Sequence, residues 1–261
     1  MTFWKYHGTG NDFILLDDRS EDFPAAEHQY IARLCHRRFG IGADGLILLR
    51  NCPGYDFQML YYNADGHPGS MCGNGARCII AFARQLGLIG QQTTFRAPDG
   101  LHEAYIEADG TIRLKMQDVA AAEPIGATEG DVFFDTGSPH YVRFMTSERP
   151  SVADVNVVAE GRALRNSRPH GTNVNFAEAP MSASQPWQVR TYERGVEDET
   201  YSCGTGVTAV ALAAAGRGAA SPVRLRTPGG ELEVAFEAQA DGSFQNVWLS
   251  GPAVLVFEGK L

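Results

Sequence analysis

Two cysteines stand in matching sequence contexts in the two halves of the chain. Cys72 opens a Cys-Gly-Asn-Gly run, and Cys203 opens a Cys-Gly-Thr-Gly run about 130 residues later. Small and apolar residues over a helical length follow each run, so each cysteine is predicted to lie just ahead of a helix. Unpaired N–H groups and the positive end of the helix dipole lower a thiol pKa there. Both cysteines are therefore candidates for acid–base chemistry.

The glycines after each cysteine predict a site for an anion, because glycine lets a ligand approach the backbone and free amides bind a carboxylate. A thiolate that removes a proton from a tetrahedral carbon, and a thiol that protonates the opposite face, invert a stereocentre without a cofactor. Hydrogen-bond donors at the helix starts would stabilise the carbanion. A single such cysteine is equally well a small buried side chain. The second copy of the motif favours catalysis.

The similarity between the halves extends beyond the cysteines. Residues 57–63 resemble residues 187–193, and the Pro-Asp-Gly turn at 98–100 matches the Pro-Gly-Gly turn at 228–230. Matches that keep one order and one offset of about half the chain are typical of an internal duplication. Such turns are also common in unrelated loops, so two unrelated halves with shared turn chemistry are the alternative.

Each half is predicted to mix strands and helices. Strand patterns at 57–62 and 187–192 precede the two cysteine motifs. Helices are predicted over 76–86, ending at Gly87, and over 207–215, a stretch without charge that should be buried on all sides. The predicted fold is α/β (α+β), with two pseudo-symmetric domains that each wrap a mixed sheet or barrel around a central helix.

The N-terminal domain is expected to comprise residues 1–117, together with residues 252–261, which return to it. The C-terminal domain is expected to comprise residues 118–251. A pseudo-two-fold relation between the halves predicts an active site in the cleft between the domains, with both helix starts facing it. The remaining patterns predict strands near 93–96, 102–106, 111–116, 223–226, 232–236 and 245–249, and helical turns within 27–38 and 152–160.

Composition narrows the class of protein. A chain of 261 residues buries a large core without disulfides or a structural metal, and 44% hydrophobic with 20% charged residues argues against disorder. The net charge of −9 argues against nucleic-acid or membrane partners. The seven histidines lack ligand spacing and no Cys-x-x-Cys occurs, so no metal is expected. No other cofactor is expected either, because the two-thiol reaction needs none. Without a secretory signal or an apolar stretch of membrane-spanning length, we expect a cytoplasmic protein with free thiols.

Several of these motifs resemble the diaminopimelate epimerase family. The resemblance is carried by residues 5–13 (Lys-Tyr-His-Gly-Thr-Gly-Asn-Asp-Phe), by the Asn-Ala-Asp-Gly turn at 63–66, by both cysteine motifs and by Glu-Arg-Gly at 193–195. It spans the chain from its first residues to its last strand. It implies cofactor-independent interconversion of LL- and meso-diaminopimelate, on the route to lysine and peptidoglycan, by a homodimer of two-domain subunits.

The resemblance also implies the role of individual residues. Cys72 and Cys203 are the acid–base pair, and the implied substrate-binding residues are Asn11, Asn63, Gly73, Asn74, Asn173, Glu193, Arg194, Gly204 and Thr205. Asn63, Asn173 and Arg194 are placed at the unreacting end, where a guanidinium pairs with a carboxylate bidentately. Glu193 is assigned to an ammonium group and, with His140, to tuning the thiols. The chain departs from many relatives at Gly45, where they have glutamine, and at Ser138, where they have asparagine.

Three alternatives belong to other families or classes. Proline racemases and hydroxyproline epimerases also use two cysteines, but they typically have histidine at the position of Asn74. Isomerases of the phenazine-biosynthesis type share the fold and lack the paired cysteines. A thiol redox or amino-acid-binding protein is the alternative from a different class, and the missing Cys-x-x-Cys argues against redox activity.

Overall fold

The chain divides into two compact units. The computed structural model describes residues 1–125, 130–146, 148, 151–182 and 184–261. The first unit comprises Met1–Leu114 and Gly251–Leu261, and the second comprises Lys115–Ser250. The second unit is thus continuous in sequence, whereas the first is completed by a segment that follows the second.

The first unit is a mixed sheet with two helices. Its elements in chain order are β1 (Thr2–Gly8), β2 (Asn11–Asp17), α1 (His28–Cys35), β3 (Gly45–Arg50), β4 (Gln58–Asn63), α2 (Gly73–Gln85), β5 (Gln92–Ala97), β6 (Gly100–Ile106) and β7 (Ile112–Lys115). Strands β2 and β3 pair in parallel, as do β4 and β5. The pairs β1–β2, β3–β4, β5–β6 and β6–β7 are antiparallel.

The second unit repeats this arrangement. Its elements are β8 (Glu123–Pro124), β9 (Val132–Asp135), β10 (Pro139–Phe144), a 3₁₀ turn (Val152–Asp154), α3 (Val157–Leu164), β11 (Asn173–Glu178), β12 (Trp187–Glu193), β13 (Asp198–Thr200), α4 (Gly204–Ala215), β14 (Val223–Thr227), β15 (Gly230–Ala238) and β16 (Phe244–Gly251). Here β10–β11 and β12–β14 are parallel. The pairs β9–β10, β11–β12, β14–β15 and β15–β16 are antiparallel.

The last strand, β17 (Val254–Lys260), pairs antiparallel with β1, so that Thr2 lies opposite Lys260. Apart from this strand and the short β8 and β13, the two units show the same sequence of parallel and antiparallel pairings. The turns that lead into β6 and β15 also match, because Gly100 and Gly230 both have a φ of 140°. The predicted α/β fold built from two repeats is confirmed.

One buried helix stands at the centre of each repeat. Helix α2 contacts β1, β2 and β3, and α4 contacts the strands of its own unit from β9 to β12 together with β14 and β15. Almost all of α4 is buried, as its uncharged sequence predicts. Both helices begin earlier than predicted, at Gly73 and Gly204, because the glycines of each cysteine motif form the first helical turn.

The other helical predictions need smaller corrections. Helix α1 is shorter than the predicted 27–38 because the backbone is already extended at His36, with φ −66° and ψ 120°. Helix α2 ends as predicted, with Gly87 at a φ of 72° just beyond it. None of the helices in the described part of the chain is long and apolar enough to cross a membrane.

Candidate functional site

Cys72 and Cys203 occupy the residue before the first turn of the two central helices. Cys72 has φ −114° and ψ 121°, and Cys203 has φ −118° and ψ 112°, so the two repeats present their cysteines with nearly the same backbone. The first N–H groups of a helix have no partner within the helix and are free to bind an anion beside each thiol. Neither cysteine is in a disulfide; Cys203 is buried and Cys72 is half-buried.

In the first unit, Cys72 contacts the side chain of Asn11, which is in turn hydrogen-bonded to Asn74. Its Sγ is 3.5 Å from Oδ1 of Asn11, and Nδ2 of Asn74 donates to the same oxygen at 3.2 Å. On its other side, the Asn11 amide donates to Oδ2 of Asp44 at 2.7 Å. The structure therefore brings Asn11 and Asp44, from distant parts of the sequence, to the motif that contains Cys72 and Asn74.

Strand register explains how Asn11, Asp44 and Asn63 reach one edge of the sheet. In the parallel pair β2–β3, Phe13 lies opposite Gly45, and in the antiparallel pair β3–β4, Gly45 lies opposite Asn63. Two strands therefore begin, and the third ends, at the same edge. Asn63 is exposed there, and its backbone closes the turn that follows, accepting from the N–H of Gly66 at 2.9 Å.

Packing requires the glycine at position 45 in this chain. A Cβ added at Gly45 would lie 2.5 Å from the ring of Tyr61 and 2.6 Å from the carbonyl oxygen of Tyr62. These distances are shorter than any real Cβ contact, so a glutamine would have to displace the Tyr61 ring. The space beside β3 is thus shaped by Tyr61 rather than by an amide side chain.

In the second unit, a chain of hydrogen bonds leads to Cys203. Nδ2 of Asn175 contacts Nδ1 of His140 at 3.0 Å and also donates to the carbonyl oxygen of Tyr141 at 3.1 Å. Since the amide group donates, Nδ1 of His140 is the acceptor and Nε2 carries the proton. Nε2 in turn lies 2.9 Å from Oγ1 of Thr205, which is 3.5 Å from Sγ of Cys203.

His140 is fully buried and neutral in the folded protein. Burial, together with the positive charge of Arg194, lowers its pKa to about 3. A neutral imidazole with a fixed tautomer is a constant hydrogen-bond donor to Thr205 over the physiological pH range. The hydroxyl hydrogen of Thr205 is then available to the sulfur of Cys203.

The buried state of His140 predicts a pH dependence of stability. The imidazole of His140 becomes protonated near pH 6.5 in the unfolded chain, but only near pH 3 in the folded protein. Between these values the unfolded state binds the extra proton, so stability falls as the pH falls, by up to about 1.4 kcal/mol per pH unit. The variant His140→Gln should lose this part of the slope. Urea unfolding of both proteins at pH 7, 6 and 5 measures the difference, and parallel pH profiles would contradict the prediction.

Asn173 and Arg194 lie next to the His140 chain. Nδ2 of Asn173 donates to Oγ of Ser138 and to the carbonyl oxygen of Pro139, both at 3.0 Å, while its Oδ1 accepts from the N–H of Arg194 at 2.8 Å. Ser138 thus contacts Asn173 through its hydroxyl. Glu193 is the last residue of β12 and lies opposite Asp198 of β13. The predicted residues of the second half are therefore gathered in one place within their unit.

Sequence reasoning missed three residues of these clusters. Asn175 is fully buried, and its sequence signal is the alternation Asn-Val-Asn at 173–175, which points both amides to one face of β11. Arg77 is a fully buried charge in α2, and Nη2 donates to Oδ1 of Asn74 at 2.8 Å. Asp44 lies in the loop before β3, after Gly42 and Ala43, and nothing in the local sequence marks it as a site residue. Only the pairing of β3 with β2 shows that it lies beside Asn11.

The other three cysteines have different surroundings. Burial raises the pKa of the Cys35 thiol to about 12 and that of Cys78 even further above its ordinary value. Cys52 is partly exposed in the turn before β4. None of the three precedes a helix of the described chain, so Cys72 and Cys203 alone combine a helix start with a surrounding set of polar side chains.

Known proteins resemble the chain over its whole length. The family model described as diaminopimelate epimerase matches residues 3–121 and 132–256. A diaminopimelate epimerase of Flavobacterium psychrophilum is 46% identical, covering 99% of both chains, and one of Chlorobaculum tepidum is 40% identical over 97% of this chain and 98% of its own. The crystal structure of a Bacillus anthracis phenazine biosynthesis protein of the PhzF family superposes with a TM-score of 0.77 at 13% identity, covering 100% of this chain and 98% of the other.

The family match and the names of the full-length relatives make the protein an epimerase, which is an isomerase. Two matched segments of one family model cover both repeats, and the full-length relatives exceed 30% identity. The chain belongs to the diaminopimelate epimerase family.

Proposed function

We propose that the protein interconverts LL- and meso-2,6-diaminopimelate by proton transfer at Cα without a cofactor, in the synthesis of lysine and peptidoglycan precursors. The observation that carries the proposal is the pair of cysteines that begin the central helices of the two repeats with the same backbone conformation. The names of the full-length relatives support the substrate. Inversion by two bases needs one acid–base group on each face of Cα, and the duplication provides two cysteines for this role.

In the proposed reaction, one of Cys72 and Cys203 is a thiolate and takes the proton from Cα. The other is a thiol and gives its proton to the opposite face of the same carbon, which inverts the stereocentre. The charge that develops next to the substrate carboxylate is stabilised by backbone N–H groups of Gly73, Asn74, Gly204 and Thr205. After each turnover the two cysteines have exchanged protonation states, so the reverse reaction uses the same pair.

The side chains around each sulfur prepare these proton transfers. Asn11 and Asn74 contact the substrate near its reacting end and lie beside Cys72. At Cys203, the hydroxyl oxygen of Thr205 accepts a hydrogen bond from neutral His140, and its own hydrogen can point toward the sulfur. His140 therefore acts on the thiol through Thr205, and Glu193 is proposed to tune the thiols with it.

The unreacting end of the substrate carries a second ammonium and a second carboxylate. Arg194 is proposed to bind this carboxylate, with the amides of Asn63 and Asn173 as further hydrogen-bond donors. Its backbone is fixed by Asn173, and Nη1 contacts the carbonyl oxygen of His170 at 3.3 Å. A guanidinium held in this way is pre-oriented for a carboxylate. Glu193 is proposed to meet the ammonium group.

We also propose that the protein is a cytoplasmic homodimer. Four consecutive apolar residues of β17, Val254–Phe257, are between 42% and 54% exposed. Neighbouring residues of a strand point to opposite faces, so both faces of this strand expose apolar side chains, which favours their burial against a second copy. None of the five cysteines is in a disulfide, which fits a reducing compartment.

Deuterium incorporation from D₂O tests the reaction and its rivals in one experiment. The reduced protein is incubated separately with LL-diaminopimelate, L-proline and trans-4-hydroxy-L-proline, and deuterium at Cα is followed by NMR. We expect deuterium in the meso product of the first substrate and none in the other two. Exchange with proline or hydroxyproline alone would make the protein a racemase of that type. No exchange with any substrate would favour the binding or redox class.

A further inference from the structure

The amide of Asn11 is held in one orientation by a carboxylate. A carboxylate only accepts hydrogen bonds, so the atom of Asn11 that lies 2.7 Å from Asp44 is its NH₂ group. The carbonyl oxygen of Asn11 must therefore face the other way, toward Cys72 and Asn74. Asp44 is itself fixed, because Nη2 of Arg37 donates to its second oxygen at 2.6 Å.

The amide of Asn74 is held from the opposite side by a guanidinium. Nη2 of Arg77 donates to Oδ1 of Asn74 at 2.8 Å, and a guanidinium only donates, so the NH₂ group of Asn74 faces Asn11. The hydrogen bonds thus run in one sense from Arg77 through Asn74 and Asn11 to Asp44. Bonds aligned in this way polarise one another, with a positive group at one end and a negative group at the other.

The guanidinium of Arg77 is energetically costly to bury at this position. It is fully buried, and its other hydrogen bonds go to neutral oxygens: Oγ1 of Thr9 at 3.2 Å and the carbonyl oxygens of Gly73 and Pro252, both at 3.4 Å. In the part of the chain that the structure describes, no carboxylate forms an ion pair with it. A buried charge without a counter-ion carries a large desolvation cost, which the folded protein must offset elsewhere.

The duplication shows that helix packing alone does not require this charge. In the second repeat the position equivalent to Arg77 is Thr208, which is equally buried. Its hydroxyl is satisfied within the helix, donating to the carbonyl oxygen of Gly204 at 3.0 Å. The same place in the same fold therefore accepts a small neutral side chain, and the guanidinium serves something specific to the first repeat.

We propose that Arg77 and Asp44 are positioning residues for Cys72: they fix the amides of Asn74 and Asn11 so that the carbonyl oxygen of Asn11 faces the sulfur. The proposal rests on the acid–base role of Cys72. The fixed oxygen orients the S–H group, while the buried positive charge of Arg77 favours the thiolate when the proton leaves. Neither residue contacts the substrate carbon, and both act through Asn11 and Asn74.

The test follows the alkylation of each cysteine by iodoacetamide as a function of pH in the substrate-free protein, with mass spectrometry to separate Cys72 from Cys203. Arg77→Met removes the charge and keeps the apolar bulk, so the midpoint of the Cys72 profile should rise by about one pH unit. Asp44→Asn removes the negative end and lets the Asn11 amide turn its NH₂ group to the sulfur, so the midpoint should fall. The Cys203 profile should stay unchanged in both.

Arg77→Lys and Thr208→Val are the matched controls. The lysine variant keeps the charge and should restore the midpoint toward that of the unmodified protein, whereas the valine variant changes the equivalent position of the second repeat and should leave the Cys72 profile unchanged. Both Arg77→Met and Asp44→Asn should lower kcat/KM by up to about 10²-fold, as misplaced reacting groups do.

Opposite shifts confined to Cys72 would support the proposal. Unchanged Cys72 profiles in the two folded variants would overturn it, and so would equal shifts of both cysteines. If Arg77→Met fails to fold, Asp44→Asn still decides the matter, because Asp44 is at the surface edge of the sheet. The readout needs no substrate, so a failed deuterium experiment with diaminopimelate would leave these profiles interpretable.

Discussion

Replacement of either Cys72 or Cys203 by alanine is expected to lower kcat for epimerisation by about 10²- to 10⁴-fold. Each variant lacks one of the two groups that exchange a proton with Cα, so inversion cannot be completed through the protein. Epimerisation is measured by chromatographic separation of LL- and meso-diaminopimelate. The matched control is Cys52→Ala, which removes a partly exposed thiol outside both helix starts and should keep full activity.

The same variants distinguish two bases from one. A protein with a single remaining cysteine can still remove a proton and return deuterium to the same face, so exchange without inversion is expected in D₂O. Each variant should label only one stereoisomer, and the two variants should label different ones. Labelling of both stereoisomers by one variant, or retention of more than a tenth of the epimerase activity, would contradict the two-base mechanism. Circular dichroism checks that each variant is folded.

Replacement of Arg194 by alanine is expected to raise KM for diaminopimelate by about 10- to 150-fold, because hydrogen bonds to charged groups contribute roughly 1.5–3 kcal/mol. The backbone N–H of Arg194 bonds to Asn173 and is kept by the substitution, so the loss reports the guanidinium alone. Arg194→Lys keeps the charge but loses the bidentate hydrogen bonding of the guanidinium, so its KM should lie between those of the unmodified protein and Arg194→Ala. Initial rates over a range of substrate concentrations separate KM from kcat.

Lysine provides a matched probe for this role, since it has the same skeleton without the second carboxylate. The unmodified protein should strongly disfavour lysine, because binding it would leave the guanidinium of Arg194 unpaired. In Arg194→Ala the preference for diaminopimelate over lysine, expressed as a ratio of kcat/KM values, should shrink by the same factor that diaminopimelate loses. An unchanged ratio would place the second carboxylate elsewhere.

The repeat and the positions of the two cysteines were predictable because both depend on local sequence. A cysteine followed by glycines and then by small apolar residues predicts a helix start wherever it occurs, and the structure places Cys72 and Cys203 at such starts. The exact first residue was less predictable. Because glycine has low helix propensity, the predicted helices begin only at residues 76 and 207. In the structure the glycines pack within a buried first turn, so the helices begin three residues earlier, at Gly73 and Gly204.

The strands on which the polar clusters depend were harder to predict. Residues 46–49 of β3 are all fully buried, and a continuous apolar run lacks the alternation that identifies a strand. Without β3, nothing indicates that Asp44 lies beside Asn11. The contact between Asn175 and His140 has a similar origin, because it depends on the parallel pairing of β10 with β11, in which His140 lies opposite Asn173. Long-range pairing, not local sequence, assembles both sets of residues.

The return of β17 to β1 has a consequence for how the protein reaches its folded state. Pairing Thr2 with Lys260 closes a loop of nearly the whole chain. A folding nucleus built from local segments therefore does not contain this contact. Loop-closure entropy depends only logarithmically on length, and a second unit that has already collapsed shortens the path between the partners. We therefore expect the continuous unit to fold first and the strand order of the discontinuous unit to be completed last; hydrogen exchange during refolding that protected β1 and β17 first would contradict this.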